Sequence, residues 1–397
     1  MKKIAPSLFL LFYCQFAKAQ TLPKLGNDTL IDVACWNIEW FGDVSNGPTN
    51  EALQFSNVLA VMNQTGMDVW AVEEMSSSAT FASLTSQLSG FSSTNSTFSQ
   101  TQKMCLFWKN SMFEFISSQH ILTSYNYDFA SRPPLMVTLK TIVDTAIFKP
   151  DTFYFIVLHM KAQSESDDAG RLQSYTRRKN ASGWLKTYLE TTLLAKKYFV
   201  LGDWNDDLIN SIYSSSYPTP FKNFLDAGYL FLTKPLCDAG KKSYAFGSSM
   251  IDHIMISDSL RPFYLNNSCN VFDNIGSYIL NASSNTSDHY LVYSKFLNNR
   301  KPITIKDSSQ VGVNDLANIE SFKIFPNPSK GKFSIENNSN AVLTISLLDY
   351  YGKELLLIDD FKSGELDFSK FAKGYYFLKI KSKNSISYIN HKLILCD

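Results

Sequence analysis

The sequence predicts a layered α/β sandwich followed by a small all-β module, and three observations carry the prediction. Between residues 30 and 297, β-branched and aromatic runs alternate with polar loops. Two segments inside that stretch instead repeat their apolar residues at helical spacing. Beyond about residue 320 the composition turns rich in Lys, Ser and Asn, with short alternating runs separated by Gly and Asn. Dominant strands with interspersed helices imply sheets packed in layers.

Taken in order, the chain opens like a secretory leader. Lys2 and Lys3 supply the charged start, Leu8–Tyr13 the apolar centre, and Ala17-Lys18-Ala19 a small-x-small cleavage site before Gln20. That run is too short to cross a bilayer, and no later run approaches the roughly 20 residues a spanning helix needs, so no stable membrane insertion is expected. The leader is assigned to residues 1–19. Strands are then expected at Val33–Trp40, Asp68–Val72, Met104–Trp108, Leu135–Thr141, Phe153–His159, Tyr198–Leu201, Met250–Ile256 and Tyr290–Phe296. Helices are expected at Glu51–Asn63, on Leu53, Phe55, Val58, Leu59 and Val61, and at Arg171–Leu193, on Leu172, Tyr175, Trp184, Leu185 and Leu189. The Ser/Thr/Asn-heavy segment Ser76–Thr101 reads as a surface loop with a short helix. Residues 30–297 thus form the main domain, the polar stretch 298–320 a linker, and residues 321–397 a small all-β domain with strands such as Val342–Leu348, Tyr375–Ile380 and His391–Leu395.

A hydrophobic content of 45% is ample for a core, and a formal charge of +1 argues against a strongly basic protein that coats nucleic acid. Attraction of an anionic substrate must therefore come from a local patch or a metal. Cys14 leaves with the leader. Cys35, Cys105, Cys237, Cys269 and Cys396 show no C-x-x-C spacing, which argues against a zinc or redox site. Export permits disulfides, and Cys237–Cys269 is a plausible pair because both lie in loop-like sequence; small buried free cysteines are the alternative.

Short acidic and amide motifs sit at the ends of the apolar runs: Trp36-Asn37-Ile38-Glu39, Val72-Glu73-Glu74, Leu201-Gly202-Asp203-Trp204-Asn205, Ile251-Asp252-His253 and Ser287-Asp288-His289. Hydrolysis of a phosphodiester needs a cation on the phosphoryl oxygens, an activated water and help for the leaving oxygen. Magnesium favours a few carboxylate or amide oxygens, which Asn37, Glu39, Glu74, Asp203, Asn205, Asp252 and Asp288 supply. Side chains at strand ends converge on one edge of a sheet. His289, with Asp252 to hold one tautomer, supplies an imidazole for proton transfer. Each residue alone is more often a turn residue or a satisfied polar group; the ordered set is what points to chemistry.

These residues resemble the endonuclease/exonuclease/phosphatase superfamily, the DNase I-like fold, over roughly residues 30–297. The resemblance implies a four-layer α/β sandwich. It implies Asn37, Glu39, Glu74 and Asp288 as the metal-binding set for Mg²⁺, with Mn²⁺ or Ca²⁺ able to substitute. It implies His159, Asp203, Asn205, Asp252 and His289 as catalytic, and Arg132 of the Ser-Arg-Pro-Pro segment as a phosphate contact. Lys161, Arg171, Arg177 and Arg178 form a basic cluster after His159, from which Lys161 and Arg171 are taken with Arg132 as substrate-binding; a solvated helix face is the other reading. Three positions depart from the family pattern: Trp204 for phenylalanine, expected to pack behind the site; Glu73 for glutamine, which adds a charge; and His253 where tyrosine is common.

The tail has its own resemblance. Ile324-Phe325-Pro326-Asn327-Pro328-Ser329-Lys330-Gly331, the Leu347–Gly352 turn, Ala372-Lys373-Gly374-Tyr375-Tyr376 and Lys392-Leu393 look like a type IX secretion sorting domain, an export address of Bacteroidetes. The expectation is a secreted or surface-held, monomeric, divalent-metal-dependent phosphodiesterase, foremost an endonuclease acting on DNA or RNA and exported by the type IX machinery. The rivals are a lipid or small-molecule phosphodiesterase of the same fold, sphingomyelinase-like, and a binding module without activity.

Overall fold

The computed structural model describes residues 21–143, 149–163, 165–298, 322–337, 342–349, 354–382 and 389–396. The leader at 1–19 and all but the first residue of the linker at 298–320 lie outside these residues. The chain divides into two compact units, residues 1–303 and 304–397.

The first unit is built on two six-stranded sheets. The strands β1 (Leu30–Phe41), β2 (Val69–Met75), β3 (Phe91–Asn95) and β4 (Lys103–Lys109) belong to the first sheet, ordered Asn270–Val271, Val292–Leu297, β1, β2, β4, β3. The strands β5 (Phe113–His120), β6 (Leu135–Thr141), β7 (Thr152–His159) and β8 (Lys197–Asp203) belong to the second, ordered Leu230–Phe231, Asp252–Ile256, β8, β7, β6, β5. Each sheet holds one parallel pair, β1 with β2 and β7 with β8, among antiparallel neighbours. A parallel pair needs a crossover, and helices α1 (Glu51–Gln64) and α3 (Asp168–Thr192) supply the two. The carboxyl ends of β1, β2, β7 and β8 carry Asn37–Glu39, Glu74, His159 and Asp203, so two βαβ units deliver most of the site.

The sheets face each other across a core in which Phe155 stacks on Phe199 at 4.7 Å and Phe296 meets Phe199 edge-on at 4.9 Å. α3 adds Ala181, Leu185 and Leu189, at four-residue spacing, to the same core. The other face of the first sheet, with Trp36, Ile38, Trp70 and Val72, is covered by Val58, Val61 and Met62 of α1 and by Leu84 of α2 (Ser78–Gln87). The result is the helix, sheet, sheet, helix order of a four-layer sandwich. Asp167 caps α3 by accepting the Gly170 amide at 2.8 Å, so the helix begins ahead of Arg171.

Among the described residues, six strands of the first unit lie outside the sequence expectation: the short Asn210–Ser211, Ser214–Pro218, Leu230–Phe231 and Asn270–Val271, and with them β3 and β5. The Ser76–Thr101 segment holds a strand, β3, as well as its helix, and β5 crosses Phe113–His120 with a run of exposed residues from Glu114 to Gln119. Both are edge strands without a buried face, so they lack the alternating pattern that reveals a half-buried strand. The Cys237–Cys269 disulfide does not form: both cysteines are free and buried in the main core, where they pack as small apolar groups.

The second unit pairs a three-stranded sheet (Phe322–Phe325, Lys332–Asn337, Gly364–Asp367) with a four-stranded one (Glu354–Phe361, Leu343–Leu348, Gly374–Ser382, Ile389–Leu395). Its core gathers Phe333, Ile335, Leu343, Ile345, Leu347, Leu378, Ile380, Leu393 and Leu395, mostly residues two apart on their strands.

Candidate active site

Strand register aligns one row of the site. His159 on β7 is paired with Asp203 on β8, and Asp203 with Asp252 on the next strand. The His289 Nδ1 lies 2.8 Å from Asp252 Oδ2, while its Nε2 faces Asp203 Oδ2 at 4.0 Å and Asp288 Oδ1 at 3.9 Å. His289 is itself fixed by its backbone: its amide donates to Ser287 Oγ at 2.9 Å, and Trp36 Nε1 donates to its carbonyl at 2.9 Å. Asp203 accepts from the Asn205 amide at 2.8 Å, from Asn205 Nδ2 at 2.9 Å and from Asn37 Nδ2 at 3.1 Å. β8 approaches β7 closely enough that Gly202 is required. A Cβ there would lie 2.2 Å from the Leu158 carbonyl oxygen, at a φ of +132°.

Electrostatics divides these groups by role. Burial works against a charged His289, but Asp252, Asp203 and Asp288 outweigh it and hold the imidazole well above its ordinary value. Burial pushes the Asp203 carboxyl up, with His289 opposing. Burial, Arg132 and His289 drive His159 well below the ordinary imidazole value, so it is neutral at physiological pH. Its Nε2 stands 3.5 Å from Asp203 Oδ2 and 3.6 Å from Glu74 Oε1.

Beside this row lies a carboxylate group of a different kind. Glu39 Oε2 accepts the Asp288 amide at 2.9 Å, Glu74 Oε2 accepts the Trp40 amide at 2.9 Å, and Asn37 Nδ2 donates to Glu74 Oε1 at 3.1 Å. Among the described residues no Lys or Arg forms an ion pair with Glu39, Glu74 or Asp288. Burial and the neighbouring Asp288 push the Glu39 carboxyl up to about 7, and burial raises Asp288 as well. Three carboxyl groups crowded together with His289, 3.9 Å from Asp288, as their nearest cationic partner suit a hard divalent cation. Glu39, Trp40, Glu74 and Asn205 all adopt left-handed backbone angles, with φ of 49°, 45°, 65° and 56°. Such strain in non-glycine residues clusters where side-chain aim matters more than local comfort. The cleft between these groups encloses about 620 Å³, and Glu74, His159, Asp203, Asn205, Asp288 and His289 line it with Tyr244. A tighter grouping, Asp203, Asp252 and His289, has ligand-type atoms within 4.8 Å of one another.

The structure therefore brings together Asn37, Glu39, Glu74, His159, Asp203, Asn205, Asp252, Asp288 and His289. The three residues expected to bind substrate are each held by partners within the protein, and of them Arg132 stands against the site, where its charge acts on His159, Glu74 and Asp203. Arg132 is half-buried and donates to the His159 carbonyl at 3.1 Å, the Met160 carbonyl at 2.8 Å and Gln102 Oε1 at 2.6 Å, so it holds the end of β7. Lys161 pairs with Glu165 at 2.6 Å, and Arg171 with Asp168 at 3.2 Å and the Ser166 carbonyl at 2.9 Å. Local partners along the same stretch of chain satisfy both, a competition that a linear count of cations does not reveal. Arg178 is buried outright against Asp206 at 2.9 Å and donates to the Lys161 carbonyl at 2.8 Å and Gln163 Oε1 at 3.0 Å.

Glu73 also differs from its expectation. It is fully buried, neither carboxylate oxygen has a hydrogen-bond partner among the described residues, and burial together with Asp252 and Asp203 holds it well above the carboxylate range. It lies behind the site, where burial disfavours the charge that the sequence expects there. Trp204 is buried edge-on to Phe221 and Phe231, and His253 is buried between Thr233 Oγ1 and the Asp206 carbonyl, both at 2.9 Å. Sequence reasoning missed Ser243, whose Oγ accepts the Ile251 and Asp252 amides at 2.9 Å, and Ser287, whose Oγ donates to the Asn37 carbonyl at 2.6 Å. Serines carry no distinctive pattern, and only the strand ends around them give a hint.

Residues 34–289 match the Endonuclease/Exonuclease/phosphatase family, and residues 323–395 match the secretion system C-terminal sorting domain. Comparison with curated protein sequences gives no match. Among solved structures, a D. rerio TDP2 humanized by 14 mutations is similar at 14% identity and a TM-score of 0.50, covering 68% of this chain and 100% of that one. D. rerio TDP2 complexed with single strand DNA product gives the same values, 14% identity, 0.50, 68% and 100%. An endonuclease/exonuclease/phosphatase from Bacteroides vulgatus is similar at 13% identity and a TM-score of 0.46, covering 68% of this chain and 98% of that one.

Proposed function

The chain belongs to the Endonuclease/Exonuclease/phosphatase family and is a hydrolase of phosphate-ester bonds, and we propose that it is an exported, divalent-metal-dependent endonuclease acting on DNA or RNA. The observation that carries the reading is the His289–Asp252 pair, set 2.8 Å apart and facing Asp203 in a cleft that Glu74 and Asp288 also line. The sorting tail marks the chain for export, and the leader read at residues 1–19 supplies passage across the inner membrane.

Glu39, Glu74 and Asp288, with the Asn37 amide, would hold the cation, for which Mg²⁺ is the first choice. When bound, it supplies charge neutralisation on the phosphoryl oxygens. Asp203 is the general base in this reading. Burial raises its carboxyl towards neutrality, the range in which a base is effective, and Asn205 orients it from the next turn. A water held against the Asp203 carboxylate attacks phosphorus in line with the leaving oxygen and gives its proton to that carboxylate. The P–O bond breaks with its electron pair on the leaving oxygen, which solvent protonates. His289, whose imidazole Asp252, Asp203 and Asp288 hold above its ordinary value against its burial, stabilises the charge on the phosphoryl group in this reading. His159 meets the substrate as a neutral imidazole and donates a hydrogen bond rather than a full proton. Arg132 acts through His159 by holding its carbonyl.

A cleft rimmed by Tyr244 and the exposed Phe246, whose rings lie 6.0 Å apart, favours an aromatic nucleobase next to the scissile phosphate. The test is hydrolysis of plasmid DNA, RNA, sphingomyelin and an aryl phosphodiester side by side, with EDTA and His289→Ala controls. Metal-dependent plasmid or RNA cleavage, lost in the variant, is expected. Turnover of lipid or small esters alone would overturn the nucleic-acid assignment and leave the chemistry standing, and turnover of none would restore the binding-module reading.

A further inference from the structure

A second cavity of about 510 Å³ lies along the outer side of α3, lined among others by Tyr175, Lys179, Trp184, Pro218 and Lys222. It shares a wall with the catalytic cleft. The hairpin of Asn210–Ser211 and Ser214–Pro218 contributes Ile212 to the cleft and Pro218 to the groove. Between those two residues Tyr213 and Tyr217 pack with Tyr175 of α3. Ring centroids are 4.7 Å apart for Tyr213–Tyr217, 5.3 Å for Tyr175–Tyr217 and 6.0 Å for Tyr175–Tyr213. Farther along, Trp184 is 38% exposed at the groove, with Tyr125 stacked on it at 3.9 Å.

The charge of the groove is one-sided. Lys179 and Lys222 line it and no acidic residue does. Lys222 is paired with Asp226, whereas exposed Lys179 has no ion pair among the described residues. Asp128 stands at the edge of the groove, accepting from Trp184 Nε1 at 3.0 Å and Asn180 Nδ2 at 3.3 Å, so Lys179 is the lining cation left for a phosphate, and the hairpin of residues 210–218 separates it from the catalytic cleft.

We propose that this groove is a strand-binding subsite, in which a single-stranded stretch of the substrate, flanking the scissile phosphodiester, stacks bases on the Tyr213–Tyr217 and Trp184 platforms and places a phosphate against Lys179. The proposal rests on the nuclease reading above. Interleaved aromatic and basic groups are what a single strand of any sequence requires: faces for the bases and charge for the backbone. The subsite therefore confers preference for length and for single strands, not for sequence. Its lining residues are separate from those of the catalytic cleft, so a substrate short enough to be held by the cleft alone does not use it.

The experiment uses the purified full chain with Mg²⁺ and three substrates: bis(p-nitrophenyl) phosphate, a labelled single-stranded trimer and a labelled single-stranded 20-mer. The variants are Lys179→Glu, Tyr217→Ala and Trp184→Ala. Each variant is expected to lower kcat/KM on the 20-mer about 10-fold, the effect of losing one stacking or phosphate contact, with the change carried by KM. Turnover of the trimer and of the aryl diester should stay at the wild-type level, which also reports that the variants are folded. For Lys179→Glu the salt dependence of 20-mer binding should weaken by about one charge. Equal losses on all three substrates, or none on the 20-mer, would overturn the subsite while leaving the nuclease in place. If the wild type hydrolyses the aryl diester and neither oligonucleotide, the nuclease reading falls and the subsite falls with it.

Discussion

The row formed by His159, Asp203, Asp252 and His289 and the group formed by Glu39, Glu74 and Asp288 meet at one cleft, which His159, Asp203 and His289 line from the first and Glu74 and Asp288 from the second, yet their charges are handled differently. In the row, carboxylates and imidazoles alternate, and Asp203 accepts hydrogen bonds from two asparagines while Asp252 holds His289. In the group, carboxyls meet mainly backbone amides and one another, and burial with the neighbouring Asp288 lifts Glu39 to about 7. The protein organises the first with its own side chains. In the second, an added cation favours the ionised carboxylates that burial disfavours.

The sharpest way to break this comparison is to delete one member from each side and read two observables. His289→Ala or Asp203→Ala should lower kcat about 10³–10⁴-fold, the upper range for a lost acid–base group, while the rise in Tm on adding Mg²⁺ persists. Glu74→Gln should lose both. If His289→Ala also removes the Mg²⁺-induced rise, the ion sits in the tight Asp203/Asp252/His289 grouping and the assignment of roles is reversed.

A second prediction concerns the brace behind the row. Burial lowers the Arg178 guanidinium and raises the Asp206 carboxyl, with each partner opposing the other's shift, so the pair's main contribution is geometric. It ties α3 to the Lys161–Gln163 segment and to the residue after Asn205. Arg178→Met leaves Asp206 unpaired and should cost about 3–5 kcal/mol of stability by denaturant unfolding. Removing both charges together, in Arg178→Met with Asp206→Leu, should recover much of the stability but not the activity. Recovery of activity in the double variant would show that the brace does not position Asn205.

How much of this was legible in the sequence follows the same division. Asn37, Glu74, His159, Asp203 and Asp252 lie on or at the ends of strands with buried, β-branched or aromatic interiors, so hydrophobic patterning located the strand and the polar residue at its end stood out. Their convergence follows from two βαβ crossovers, which the sequence signals through the helical spacing of α1 and α3. Edge strands β3 and β5 escaped because they bury no face. The cations escaped for another reason. Whether Lys161, Arg171 or Arg178 faces substrate depends on which acid stands within reach in three dimensions, and Glu165, Asp168 and Asp206 carry no mark of that in one dimension.

pH gives a third, smaller test. Glu39 has a folded value of about 7 against an ordinary 4.5, so between these limits the folded state binds more protons than the unfolded state. Without metal, stability is then greatest below about pH 4.5 as far as this group is concerned and falls as pH rises through 7; Asp203 and Asp288 shift in the same direction. A divalent cation needs the ionised carboxylates, so the sign inverts in its presence. The difference in unfolding free energy between saturating Mg²⁺ and EDTA should widen from pH 6 to pH 8, approaching about 2.7 kcal/mol at one hundred times the Kd. A difference independent of pH over that window would place the ion away from Glu39.

The smallest effects are expected at the residues that the sequence alone nominated most readily. Lys161 and Arg171 carry charge just after His159, the position where a phosphate contact is anticipated, but neither lines the cleft. Lys161 is held by Glu165, whose carboxyl stays near 2 because its hydrogen bonds from Lys161 and Ser174 outweigh its burial. Arg171 closes the first turn of α3 onto Asp168 and the Ser166 carbonyl. Pairs this exposed contribute about 0.2–1 kcal/mol, and charge this far from phosphorus acts only through screened, long-range attraction. Lys161→Ala and Arg171→Ala should therefore change kcat/KM by no more than about 2-fold at 0.15 M salt, against a far larger loss for the Asp203 and His289 variants. The difference should grow at low ionic strength, where the Debye length lengthens and any cation near the cleft steers substrate. A 10-fold loss at physiological salt would mean that substrate draws these side chains out of their local pairs, and the carboxylate group would then not be the only part of the cleft completed by what it binds.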